Sequence, residues 1–337
     1  MCRSEDFDTD KFLFRGLHPT VFMGTASDRY GGWIGQIYSS DLYKGRLSSR
    51  TKRVGGRSFK EEVLPVESVA EYFRHFRVLE IDYTFYKPLL NENGSTTSNY
   101  HVLSSYQAQL SSNDYVLLKV PQGIFAQRLL RGNVYVENQD YLNPELFVRS
   151  FYDPAIKILG SNLRGFVFEQ EYQRQEHRMP ASQLALALNK FFSSVPGDER
   201  YHIELRTESY LTQPIFEVLE RFGIGQVLSH WTWLPPLMRQ FQKAGHRFFN
   251  SGRQCIVRLM TPIGTRYENA YALAHPFDKL VPGMLQPSMI RETAGLMWDG
   301  IAQNMSVNVI INNRSGGNAP LIAQLIAAEF LETGIDA

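Results

Sequence analysis

Eight short apolar or β-branched runs, at 21–26, 78–83, 115–120, 165–170, 201–206, 225–230, 254–260 and 307–313, recur along this chain. Most are separated by segments whose apolar residues return at helical spacing, clearest at 66–76, 181–194, 211–222 and 319–332. Leu184, Ala187, Leu188 and Phe191 trace the i, i+3, i+4, i+7 stripe of a helix that buries one face. Strands alternating with helices need crossover connections, which makes the sheet parallel. Eight such units predict an α/β chain folded as a closed TIM-like (β/α)8 barrel rather than an open sheet. The 337 residues exceed the roughly 250 typical of that architecture. Long loops after the first two strands, at 39–65 and 87–99, absorb the excess. Neither an internal repeat nor a Pro-rich linker divides the chain, so one barrel domain over 1–337 is expected, its core at about 20–333.

At 43% hydrophobic and 13% aromatic residues the chain can bury a sizeable core. A formal charge of +1 argues against a generally basic surface made to hold nucleic acid. The two cysteines, Cys2 and Cys255, have no metal-ligand neighbour at the usual spacing, and a reducing compartment suits them. The N-terminus is charged and has no signal-peptide stretch, and no apolar run reaches the ~18 residues of a membrane span. A cytoplasmic protein without membrane contact is expected.

Residues 78–86 read Val-Leu-Glu-Ile-Asp-Tyr-Thr-Phe-Tyr. Alternate side chains of a strand point to opposite faces, so Glu80 and Asp82 share one face while Leu79 and Ile81 share the other. A carboxylate buried alone is costly, so that face must meet cations, a metal or a wet cavity. Lys119, Gln170, Glu204, Arg206, Arg258 and Asn312 also fall near strand ends, beside apolar neighbours suited to the helix-facing side. The inward set is then three acids (Glu80, Asp82, Glu204) and three bases (Lys119, Arg206, Arg258). Such a balanced set either satisfies itself as a buried ion network or serves a ligand, because these barrels build their sites at the C-terminal ends of the strands. In the second case Asp82 is the first candidate acid/base, followed by Glu204 and Glu80. Lys119 and Arg206 would hold an anionic group, with Gln170, Arg258, Asn312 and Asn313 completing the ligand-binding set. Tyr86 and Trp33 would stack on a ring or sugar, or else pack at the rim.

The turn Asn312–Asn318 precedes a helix that Asn318 can cap with Pro320 in its first turn. That position suits a phosphate, and equally an ordinary strand-to-helix turn. No His-x-His or His-Glu-x-x-His spacing marks a metal site. Oxygen ligation of Mg2+ by Asp82, Glu204 and Asp28 is the one metal arrangement that the carboxylates offer. His230, beside Trp231 and Trp233, is either a base or a packed histidine.

Several segments together resemble a known family. Gly24-Thr25, Tyr30, Trp33, Gly35 and Tyr38 resemble its opening Gly-Thr-Ser-Gly-Trp-Ser-Tyr-x-x-Trp-x-Gly-x-Phe-Tyr motif, and Glu80–Tyr86 its Val-Glu-Ile-Asn-Ser-Thr-Phe-Tyr motif. Lys119, Gln170, Glu204-Leu205-Arg206, Asn312-Asn313 and Gly316-Gly317 match further motifs in the same order. The family is domain of unknown function 72, the YecE-like group, and the resemblance spans about 21–332. It implies a TIM-like barrel and brings no settled reaction. Asp28 stands where the family has tryptophan and Asp82 where it has asparagine. Phe125-Ala126 replaces Thr-His, Glu171-Tyr172-Gln173 replaces Leu-Pro-Pro, and Arg258-Leu259-Met260 lacks His-Gly. The chain reads as a divergent member.

Three functions fit these features. The first is an enzyme, a hydrolase or lyase, using acid/base carboxylates on a phosphorylated or anionic small molecule or nucleotide. The second is a nucleic-acid binding or processing protein, because the insertion carries Lys44, Arg46, Arg50, Lys52, Arg53, Arg57 and Lys60. The third is a non-catalytic scaffold that keeps the ion network. The oligomeric state is not legible.

Overall fold

Strand β1 (Val21–Ala26) pairs in parallel with both β2 (Val78–Ile81) and β8 (Ser306–Ile311), and this double pairing closes the sheet. Between them lie β3 (Tyr115–Lys119), β4 (Leu163–Gln170), β5 (Tyr201–Leu205), β6 (Gly225–His230) and β7 (Gln254–Leu259). The eight strands pair sequentially into a closed parallel barrel, as the alternation of runs predicts. The computed structural model describes residues 11–132 and 134–334, so Cys2 lies outside the described residues.

The barrel has two apolar regions because strand side chains alternate. Phe22, Val78, Leu117, Val167, Val227, Ile256 and Ile310 fill the lumen. Their neighbours, among them Leu79, Leu118, Phe166, Phe168, Ile203, Leu228, Val257 and Ile311, face the surrounding helices. Ala181–Phe192, Gln213–Phe222 and Ala319–Thr333 are helices close to the bounds that their periodicity gives. At 66–76 a short 3-10 turn, Val66–Ser68, leads into the helix Val69–His75.

At the bottom of the lumen, His202 is fully buried and its Nδ1 lies 3.0 Å from the Arg200 carbonyl. The ring fits because β6 offers Gly225 beside it, where an added Cβ would overlap the imidazole. Burial lowers the imidazole to about 4 and keeps it neutral.

Two connections are more ordered than the sequence indicates. The segment 39–65 contains a helical turn, Ser40–Tyr43, and an antiparallel hairpin, Ser48–Val54 with Arg57–Val63. Gly55 and Gly56 turn it with φ of 55° and 77°, the left-handed pair that a two-residue hairpin needs. Val54 and Phe59 anchor it against Tyr271 and Ala274 of the helix Tyr267–Ala274. A second hairpin, Arg128–Arg131 with Val134–Glu137, follows β3. Most positions of both strands are exposed and polar or basic, with only Val54, Glu61 and Val63 buried, so no apolar alternation marks them, which explains why 39–65 reads as a loop. The 87–99 connection has a single bridge, Leu90 to Thr96, before the helix Ser98–Gln107.

Candidate functional site

Two residues further along each strand than the lumen's apolar layer, on the same face, the side chains become charged. Glu80 follows Val78, Lys119 follows Leu117, Glu169 follows Val167, Arg258 follows Ile256, and Glu204 sits beside Val227. Arg258 is fully buried and pairs with Glu80, its Nη2 donating to Oε1 at 2.7 Å and its Nε lying 2.7 Å from Oε2 as an ion pair. Its Nη1 also meets Glu204 Oε2, and lies 3.7 Å from Glu169 Oε2. Ser229 donates to the other oxygen of Glu204 at 2.6 Å.

The upper layer carries two cations. Arg206 reaches Glu169 Oε1 at 2.6 Å and Glu204 Oε2 at 3.1 Å, and Lys119 Nζ pairs with Glu169 Oε2. Lys119 Nζ sits 4.0 Å above the Phe85 ring, and the Arg206 guanidinium 5.0 Å above Trp231. Burial acts to raise the Glu169 carboxyl, but Arg206, Lys119 and Arg258 outweigh it and bring it down to about 2. Glu169 is thus a permanent anion and no proton donor near neutrality.

Of the expected site residues, Glu80, Glu204, Lys119, Arg206 and Arg258 do converge. The third acid of the set is Glu169, not Asp82. β2 ends at Ile81, and Asp82 turns into a 3-10 segment with φ −95° and ψ −20°, so strand parity no longer applies to it. Asp82 is half-buried at the mouth and enters no ion pair among the described residues. Gln170 was expected inside, yet it has the opposite parity to Glu169, and its amide donates to the Glu171 carbonyl. The alternation Val167, Glu169 against Phe166, Phe168, Gln170 was the available signal for Glu169.

Other expectations are corrected by burial. Trp33 is fully enclosed and donates its indole N–H to Asn313 Oδ1 at 3.1 Å, so it offers no stacking face. The same Asn313 oxygen accepts from Ala319 N at 2.8 Å, and Asn312 Oδ1 accepts from Arg314 N at 3.0 Å. Both asparagines therefore build the turn after β8. Asn318 caps the last helix through Leu321 N at 2.9 Å, as its position predicts. The amide donors of Ala319, Leu321 and Ile322 are taken by Asn313 and Asn318, and Asn318 itself is fully buried, so this helix start is no phosphate cradle. Tyr86 does remain at the rim, 72% exposed. His230 is packed, with Nδ1 3.0 Å from the Thr261 carbonyl, and burial lowers it to about 4. No cluster of three or more His, Cys, Asp or Glu suited to a metal forms among the described residues. Asp82, Glu204 and Asp28 in particular do not assemble, since Glu204 is occupied by Arg258, Arg206 and Ser229.

Asp28, a departure from the family motif and a candidate Mg2+ ligand in the sequence, occupies a different setting. It follows β1, is buried, and accepts from the Tyr106 hydroxyl at 2.8 Å on one oxygen, while the other oxygen has no hydrogen-bond partner among the described residues. Burial raises this carboxyl to about 6, the Tyr106 bond opposes that rise, and Asp82 nearby adds to it.

A family model described as "Protein of unknown function DUF72" matches residues 22–334. The chain belongs to the DUF72 family. A crystal structure of a DUF72 family protein from Enterococcus faecalis V583 is similar to it with a TM-score of 0.55 at 15% identity, covering 92% of this chain and 95% of that one. Another, from Thermotoga maritima MSB8, gives a TM-score of 0.54 at 14% identity over 93% of this chain and 99% of that one. These likenesses show the shared fold. No curated protein matches the chain. In this DUF72 protein the family motifs are explained by structure: Thr84 Oγ1 ties the turn after β2 to the Lys119 carbonyl at 2.7 Å, Phe85 supports the Lys119 ammonium, and Trp33 joins Asn313 across the barrel closure. No helix among the described residues is long and apolar enough to cross a membrane.

Arg258→Met is expected to destabilise the protein by about 3–5 kcal/mol, because it strands Glu80 and Glu204 in the interior, as measured by urea unfolding. Asp28 has a separate pH signature. Its proton is held by the folded chain up to about 6 but released by the unfolded chain near 3.8, so its contribution to stability falls as pH rises through that window. Asp28→Asn should therefore stabilise by up to about 2 kcal/mol at pH 7–8 and give no gain at pH 4, followed by thermal melts across pH.

Proposed function

We propose that this DUF72 protein is an enzyme that binds a small anionic molecule, a phosphorylated compound or nucleotide, at the C-terminal mouth of the barrel. The division of charge within the ion network carries this reading. Deep in the lumen Arg258 faces two carboxylates, Glu80 and Glu204. At the mouth the order is reversed, and Lys119 and Arg206 share Glu169. The outer layer of the network thus sets two cations against one carboxylate where these barrels receive their substrates. Lys119 and Arg206 keep 9% and 15% of their side-chain surface exposed, against 0% for Arg258. Each has N–H groups beyond those given to Glu169 and Glu204 for an incoming phosphate or carboxylate.

Asp82 is the acid/base group of this reading. It stands at the mouth without a cation of its own among the described residues, whereas Glu80, Glu169 and Glu204 are committed to arginine and lysine. Tyr86 beside it is exposed enough to meet a ligand. A carboxylate of this kind serves hydrolysis or elimination on a phosphate-containing substrate.

Calorimetric titration with inorganic phosphate and with sugar phosphates tests the anion site. Arg206→Gln should weaken binding about ten- to a hundred-fold, the loss of one charged hydrogen-bond pair. Unchanged affinity in that variant would remove the reading. A second reading rests on the hairpin that follows β1. Arg46 and Arg50 pair with Glu67 and Glu61, but Arg53, Arg57 and Lys60 on it, and Lys44 just before it, are exposed. On that reading they bind nucleic acid, and affinity for a short duplex or single strand should fall steeply between 50 and 200 mM salt. Salt-insensitive or undetectable binding would exclude it.

A further inference from the structure

Three aromatic side chains continue outward from the anion site. Arg206 lies over Trp231, and Tyr172 follows β4 so that its ring lies 6.1 Å from that of Trp231. Trp233 stacks on Tyr172 with ring centroids 5.5 Å apart and planes 27° apart. Tyr172 and Trp233 remain 39% and 42% exposed. They form one wall of an open groove of about 440 Å³, with Arg178, Glu208, Thr212 and Lys243 around it. That volume falls in the range of small-molecule sites.

The platform is held in place rather than loosely draped. Glu171 accepts from the backbone N–H groups of Gln127 and Arg128 at 2.8 and 3.2 Å. Gln173 is tied to Gln127 at 2.6 Å, to the Tyr210 hydroxyl at 2.6 Å and through its backbone N–H to Thr207 at 3.2 Å. Tyr172 lies between two anchored neighbours and stacks on Trp233, which lowers the entropy lost when a ligand lands on it. Glu171, Tyr172 and Gln173 are the residues that stand in place of Leu-Pro-Pro in the family motif, so that replacement supplies this ring.

We propose that Tyr172 and Trp233 form a subsite for a flat heteroaromatic ring, and that the ligand of this protein is a nucleotide whose phosphate sits at Lys119 and Arg206. The assignment rests on the anion reading above and adds the ring. Two rings already stacked and open to solvent extend naturally to a third flat π-face. Trp231 connects the two subsites, since the Arg206 guanidinium lies 5.0 Å above one ring whose centroid is 6.1 Å from that of Tyr172.

The test compares inorganic phosphate, ribose 5-phosphate and adenosine monophosphate by calorimetry and tryptophan fluorescence. The wild-type protein should bind the nucleotide about ten- to a hundred-fold more tightly than ribose 5-phosphate, the usual range for stacking one base. Tyr172→Ala with Trp233→Ala should abolish that difference and leave phosphate affinity unchanged. Circular dichroism checks that the double variant is folded, as expected for two half-exposed side chains. Equal binding of the nucleotide and ribose 5-phosphate, or a preference that survives in the double variant, overturns the ring subsite while the anion site stands. Absence of binding by all three compounds overturns both.

Discussion

Arg258 holds the centre of this barrel. A guanidinium with no solvent contact is tolerable only where carboxylates take its donors, and Glu80 and Glu204 do so from strands on either side of the lumen. Those two carboxylates are in turn affordable only because Arg258 is there. Six charges, on Glu80, Lys119, Glu169, Glu204, Arg206 and Arg258, thus replace the apolar layer that would otherwise cap the lumen above Val78, Leu117, Val167 and Ile256. The arrangement ties β2, β3, β4, β5 and β7 together side chain to side chain, in addition to their backbone ladders.

The network also determines what chemistry is left for the mouth. Glu169, held low by Arg206, Lys119 and Arg258, cannot exchange protons near neutrality. On the proposed reading, proton transfer falls to Asp82, which stands outside the network. Asp28, buried with one oxygen unpartnered among the described residues and raised to about 6, is its electrostatic neighbour. Both aspartates replace uncharged residues of the family motifs, and the fold brings these two replacements close enough to influence one another.

Much of this was legible along the chain. Glu80, Glu204 and Arg258 could be placed inside because each lies in an alternating strand whose other face is plainly apolar, and Asn318 could be read as a cap from its position before Pro320. The same rule misplaced Asp82, because strand parity holds only while the backbone remains extended and β2 stops one residue earlier. Gln170 in place of Glu169 was an error of register, correctable from Phe166 and Phe168. The role of Trp33 was hidden for another reason: its partner Asn313 is 280 positions away, and exposure at a rim and burial under a closing turn look alike in sequence.

The sequence by itself determined the barrel, since a period of two in the strands and of 3.6 in the helices, repeated eight times, leaves few ways to bury the apolar faces. It also determined the family and the residue types gathered at the strand ends. Only the tertiary structure decided which charges pair, which aromatic rings stay open to solvent, and that the basic insertion is a hairpin packed on Tyr271. Pairing and exposure depend on distances between strands far apart in the chain, and local periodicity carries no information about those distances.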